Sequence, residues 1–242
     1  MIRTTTGLLN QSDAARFLGI PRQTLKHWAH GYQDGQSLLH VLPYHEQRKA
    51  TVPFAAMAEA HVLKALRQAG VIPHKIRPIL KELQEQFKTD YVLLAPELAT
   101  DGIDILWEFS RTRAGTGLIE ARTGRHVIRE IVTHYLQYVV RDEAGFPAIL
   151  HMDQCLPSDV VMDPQKLFGQ PYFVGTRTRV AEAAAMLKAG EEPAVIADEL
   201  RTTVADVRVA ARILLAAPPE FYLDENNVTR RVPDSWSSWA TV

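Results

Sequence analysis

Cysteine is almost absent: Cys155 is the only one in 242 residues. No disulfide can form within one chain, and a zinc site built from several thiolates is excluded. That usage fits a reducing cytoplasm, the expected location. Also lacking is any apolar run of the about 18 residues that would span a bilayer, and Met1 to Asn10 hold no secretory core, so no membrane partner is expected. Neither sign of charge is in excess: 27 Lys and Arg against 28 Asp and Glu leave a formal net charge of -1. A uniformly basic nucleic-acid coat is thereby excluded, and any nucleic-acid surface must be local. There is no Gly-rich phosphate loop ending in Lys-Ser/Thr, no HExxH, no GxSxG and no CxxC. The nine histidines are scattered; His27, His30, His40, His45, His61 and His74 read as surface or structural residues. No enzyme, cofactor or metal site is expected.

What is present is ordinary globular material, 46% hydrophobic and 23% charged, with local asymmetries. Residues 1 to 50 carry six basic side chains (Arg3, Arg16, Arg22, Lys26, Arg48, Lys49) against three acidic ones (Asp13, Asp34, Glu46). Two helical patterns lie between Pro53 and Phe87, the first stopping at Gly70 and the second with Pro78 in its first turn. Tyr91 to Ala95 and Ile103 to Phe109 read as short strands around Asp101-Gly102. Residues 111 to 129 hold five arginines (Arg111, Arg113, Arg122, Arg125, Arg129) against Glu120, and three glycines suggest a mobile basic loop. Ile128 to Val139 repeats at helical spacing, with a strand reading left open by its β-branched residues; Phe146 to Met152 reads as a strand after the Asp142 to Gly145 turn.

The stretch Leu8 to Gly31 carries a helix-turn-helix pattern. Ser12 is expected to cap a first helix with small Ala14 and Ala15, Gly19 supplies the turn, and Pro21 starts a second helix. Ile20, Leu25 and Trp28 make its apolar side, leaving Arg22, Gln23, Thr24, Lys26 and His27 outward, residue types that suit phosphates and the major groove. A solvated helical hairpin would show the same periodicity. The ordered combination of small-residue helix, glycine turn, Thr-Leu pair and Trp resembles the DNA-binding head of MerR-like regulators. That resemblance implies a wing over Leu39 to His45, with Tyr44, Arg48 and Lys49 joining Arg16 and the second helix on DNA.

Residues 160 to 217 read as turns (Asp163-Pro164, Gly169-Gln-Pro171, Gly175-Thr-Arg177) followed by three short helices, the third opened by Thr203 with Asp206 as a capping-box analogue. Seven basic and seven acidic residues leave the segment neutral. It is either a packing module or a second DNA surface through Arg177, Arg179, Arg208 and Arg212. Its glycine-proline framework resembles the small domain found in VapB-type antitoxins. Together with the head, the order is similar to one branch of that family, and implies a cytosolic homodimer that silences a PIN-like (VapC-type) ribonuclease toxin and represses its operon by binding operator DNA. The tail around Phe221 to Trp236 resembles the opening strand of PIN-like toxins, but Asp224 and Glu225 alone cannot build a nuclease site. Phe221, Tyr222, Arg230, Arg231, Trp236 and Trp239 are the candidate toxin contacts.

The expected architecture is mainly α with a small β component (α+β): a MerR-like winged helix-turn-helix head (1–90), a central mixed α/β segment (91–157), a homeodomain-like three-helix domain (158–217) and an extended tail (218–242). A ligand-responsive regulator without a toxin partner is the alternative, with an effector pocket drawn from Tyr91 to Trp107 and the region around Tyr135.

Overall fold

The computed structural model describes residues 2–31, 36–43, 50–120, 123–215, 221–223 and 229–231. A helical turn, α1 (Ile2–Thr5), and a short strand, β1 (Gly7–Leu9), precede the two helices read from the sequence, α2 (Gln11–Leu18) and α3 (Arg22–His30). Asn10, not Ser12, caps α2. Its Oδ1 accepts the Asp13 N–H at 2.8 Å, the reach an N-cap side chain has to the third helical residue, whereas Ser12 already lies inside the helix. Gly19 ends α2 at φ +63°, and a side chain there would strike Gln154; only glycine satisfies both demands.

β2 (Val52–Pro53) returns antiparallel to β1 and runs straight into α4 (Phe54–Gln68). Every α4 residue from Phe54 to Leu66 is buried, which makes this helix the axis of the molecule. α5 (Arg77–Phe87) follows with Pro78 in its first turn, where no hydrogen bond is lost.

The stretch from Tyr91 to Ser110 departs from the expected strands. Val92–Leu94 is a 3-10 turn and Asp101–Ser110 is a helix, α6. The helix turns Ile103 and Leu106 inward and sets Asp101 and Asp104 in its first turn, where the helix dipole favours carboxylates. The basic stretch is likewise not one mobile loop. Leu118 is fully buried, the Ile72 N–H donates to its carbonyl at 2.8 Å, and Arg125 and Arg129 belong to a helix, α7 (Arg125–Leu136), that lies along α4.

A four-stranded antiparallel meander comes next: β3 (Val139–Arg141), β4 (Pro147–His151), β5 (Val160–Met162) and β6 (Tyr172–Phe173). Val139 pairs with Leu150, Leu150 with Met162 and Val160 with Phe173. Then come the three expected helices, α8 (Val180–Lys188), α9 (Pro193–Glu199) and α10 (Val204–Leu214). The Thr203–Asp206 capping box is present in both directions. In the tail, β7 (Phe221–Leu223) pairs antiparallel with β8 (Thr229–Arg231), Tyr222 opposite Arg230.

One apolar core runs from Leu25 and Trp28 of the head through Leu63 to Leu150, Val180 and Leu214. The mainly helical fold with small sheets is the one expected. Among the described residues no helix is long and apolar enough to cross a membrane.

Candidate nucleic-acid interface

Two faces of α3 have separate duties. Leu25, Trp28 and Ala29 are buried at 0, 4 and 2% exposure, and the N–H groups of Leu38 and Leu39 both donate to the Trp28 carbonyl. On the opposite face Arg22 and Lys26 are exposed, one helical turn apart. Gln23 and His27 flank them half-buried, their side-chain nitrogens 2.7 Å apart. At the end of the helix His30 meets Gln11 of α2 at 2.6 Å. The result is a helix fixed in the core on one side that presents charge and amide groups on the other.

Thr24 does not face outward as expected. It lies one turn before Trp28, on the core side, is 8% exposed, and accepts from Arg67 Nη1 at 3.4 Å. Arg16 is half-buried and is also engaged elsewhere: its Nη1 donates to the Leu214 carbonyl, filling an acceptor that the end of α10 would otherwise leave open. Tyr44, Arg48 and Lys49 lie outside the described residues.

The four arginines of the second candidate surface each have a different setting. Arg177 is exposed with φ +59°, Arg179 sits 3.5 Å from Glu182, Arg208 is exposed on α10, and Arg212 donates to the Leu156 carbonyl at 2.9 Å. Arg208 and Arg212 stand one helical turn apart on α10, and Arg177 and Arg179 precede α8. Of the candidate toxin contacts, Phe221 and Tyr222 lie on β7 and Arg230 and Arg231 on β8, while Trp236 and Trp239 lie outside the described residues.

Sequence reasoning missed the ionisable groups buried along α4. Glu59 is 1% exposed. It accepts the His40 N–H at 2.9 Å and faces the His40 ring at 2.6 Å. That hydrogen bond raises the His40 pKa, and burial raises that of Glu59. Lys64, 4% exposed, donates to Asp153 at 2.8 Å. His61, 1% exposed, lies 3.0 Å from the Tyr135 carbonyl, and burial lowers its pKa. The signal was available: Glu59, His61 and Lys64 stand in a helix with apolar residues on every side, so no solvated face exists for them. Burial likewise pushes the Cys155 thiol up to about 12, which leaves it unreactive at neutral pH.

No group of three or more His, Cys, Asp or Glu that could hold a metal occurs among the described residues. The two regions suggested for an effector pocket line separate cavities. Tyr135 borders one of about 610 Å³ with Gln68 and His134, and Val92 and Leu93 border one of about 490 Å³ with His40 and Arg77.

Comparison with known proteins adds to this geometry. Residues 7–80 match the family described as "Putative DNA-binding HTH domain", and residues 160–212 match "Protein of unknown function (DUF433)". The chain is 34% identical over 232 residues to "Putative antitoxin VapB45" of Mycobacterium tuberculosis, covering 89% of this chain and 97% of the relative. It is 27% identical to the uncharacterized protein Rv2308 of the same organism, covering 75% and 79%. The crystal structure of Rv2018 from Mycobacterium tuberculosis superposes with a TM-score of 0.68 at 32% identity, over 86% of this chain and 99% of that one.

Proposed function

The chain belongs to the VapB45-type antitoxin family, and from that premise we propose that it is the antitoxin of a toxin–antitoxin pair. It binds and neutralises a PIN-like, VapC-type ribonuclease toxin in the cytoplasm. As a homodimer it binds operator DNA and represses its own operon. It does this by binding alone, without catalysis.

The observation that carries the DNA half is the split of α3. Arg22 and Lys26 stand exposed over a buried Leu25–Trp28 side, inside the stretch matched by the helix-turn-helix family. Arg22 and Lys26 serve for guanine or phosphate and Gln23 for adenine, with His27 holding Gln23 in place. The toxin half rests on family membership. The hairpin strands Phe221–Leu223 and Thr229–Arg231, with Trp236 and Trp239 beyond them, are the proposed contact.

Co-expression with the neighbouring reading frame, followed by co-purification, tests the whole. A PIN-like partner that arrests growth alone, is silenced by this chain and elutes with it is the expected outcome. A neighbour that neither binds nor is silenced overturns the toxin half. Truncation after Pro219 is expected to impair neutralisation and leave operator binding intact.

A further inference from the structure

Exposed cations occur at a second place on the same end of α4. The first turn of α3 touches that end through Thr24, which accepts from Arg67 in the last turn of α4. Just beyond it, the segment 118–120 pairs with residues 70–72. The Ile72 N–H donates to the Leu118 carbonyl at 2.8 Å, the Glu120 N–H donates to the Gly70 carbonyl at 3.0 Å, and Val71 bridges Ile119. A short chain of contacts therefore joins the first turn of α3 to the turn 111–117.

That turn is braced. The Thr112 hydroxyl donates to the Phe109 carbonyl at 2.8 Å and accepts the Gly115 N–H at 3.1 Å. A side chain at Gly115 would collide with the backbone of Phe109. Leu118, fully buried, pins the far end. Lys75 lies against the turn: a Cβ on Gly117 would come within 2.7 Å of its ammonium. Lys75, Arg111 and Arg113 are all exposed.

Arg122 lies outside the described residues, and the other four arginines of the stretch 111–129 divide. Arg125 and Arg129 stand 3.4 and 2.6 Å from Asp104, while no carboxylate among the described residues pairs with Arg111 or Arg113. Within residues 108–120 together with Lys75, three cations (Lys75, Arg111, Arg113) stand against two carboxylates (Glu108, Glu120). Long cations on a braced, glycine-bearing turn match a polyanion's backbone and read no bases.

We propose that the turn 111–117, with Lys75, is a second contact for the phosphate backbone of the same duplex that α3 reads. This rests on the DNA-binding reading of α3 and extends it. α3 selects the sequence and the turn adds affinity without selectivity.

The test uses the full chain and fluorescence anisotropy over a salt series. The probes are two labelled duplexes of equal length: the region upstream of the chain's own gene and an unrelated sequence. Arg111→Ala/Arg113→Ala is expected to weaken binding to both duplexes by the same factor. It lowers the log–log salt slope by about 0.9 for each arginine that touches a phosphate, and the preference for the upstream region survives. Arg22→Ala/Lys26→Ala is expected to lose that preference. Arg125→Ala/Arg129→Ala, which removes cations already beside Asp104, is expected to leave the slope unchanged. An unchanged slope in the 111/113 variant, alongside lost preference in the α3 variant, overturns the second contact alone. No effect from either pair overturns DNA binding through α3 itself. An unchanged slope with lost toxin co-purification assigns the turn to protein and also overturns the proposal. Thermal melting confirms that each variant is folded, with Arg111→Gln/Arg113→Gln as the gentler pair.

Discussion

α3 and α10 each close a short helical module and each carry arginine, yet they are embedded differently. α3 is buried on one side only, through Thr24, Leu25, Trp28 and Ala29. α10 is gripped more widely: Val207, Ala210 and Leu214 serve one side, and Val209 and Ile213 are buried as well. α10 packs against α8 and α9, and also touches α2 and the Asp153–Cys155 turn. Arg212 is spent on the Leu156 carbonyl, whereas Arg22 and Lys26 extend from an exposed face. Arg208 of α10 is exposed like Arg22 of α3, so an exposed arginine alone does not distinguish the two helices; how widely the rest of the helix is buried does.

The most severe way to break this comparison is at its shared support. Asp153 lies in the turn against which both α2 and α10 rest, and it neutralises Lys64. Asp153→Ala strands a buried ammonium, and urea unfolding should show a loss of about 3–5 kcal/mol. Adding Lys64→Met should restore much of that loss. An unchanged midpoint for Asp153→Ala refutes the assignment.

Next in size is the contrast in DNA binding. Arg22→Ala/Lys26→Ala should lower the salt slope by about 1.8 if each cation touches one phosphate. Arg208→Ala should leave it unchanged. Equal losses from both helices would erase the distinction. A smaller effect separates the caps. Thr203→Ala breaks a reciprocal box in which Asp206 also accepts from Thr202 at 2.9 Å. Asn10→Ala removes a cap that serves the Asp13 N–H. Each should cost about 1 kcal/mol by thermal melting, Thr203→Ala the more.

The smallest effect is in pH. His40 has a raised pKa from its hydrogen bond to Glu59, so its contribution is complete below the unfolded value and fades as pH climbs through the folded one. His61 has a pKa lowered by burial, so it contributes above the unfolded value and is lost on acidification. The two oppose each other around neutrality. His40→Asn should therefore make stability fall more steeply as pH drops from 7.5 towards 5.5, and His61→Gln should do the reverse. Identical pH slopes in the two variants would contradict both assignments.

Local signals carried much of this fold. Pro21 through Trp28 specified α3, and Thr203 with Asp206 specified the start of α10, because caps and helical spacing act within a few residues. The same reasoning failed at Ile103 to Phe109. There a short apolar run looks alike as strand or helix, and the acids Asp101 and Asp104 at its start were the overlooked sign of a helix N-terminus. It also failed for Thr24, since a hydroxyl on a helix boundary reveals its side only once Arg67 is placed. Lys64 and Asp153 are 89 residues apart, so no local pattern could pair them.

Arg16 gives the hydrogen bond between α2 and the Leu214 carbonyl a thermodynamic meaning. The chain leaves α10 at that carbonyl for the hairpin proposed to hold the toxin, so the first helix of the DNA head and the root of the tail share one bond. If toxin occupancy strengthens or loosens that bond, DNA affinity changes by some factor, and by linkage toxin affinity changes by the same factor when DNA is bound.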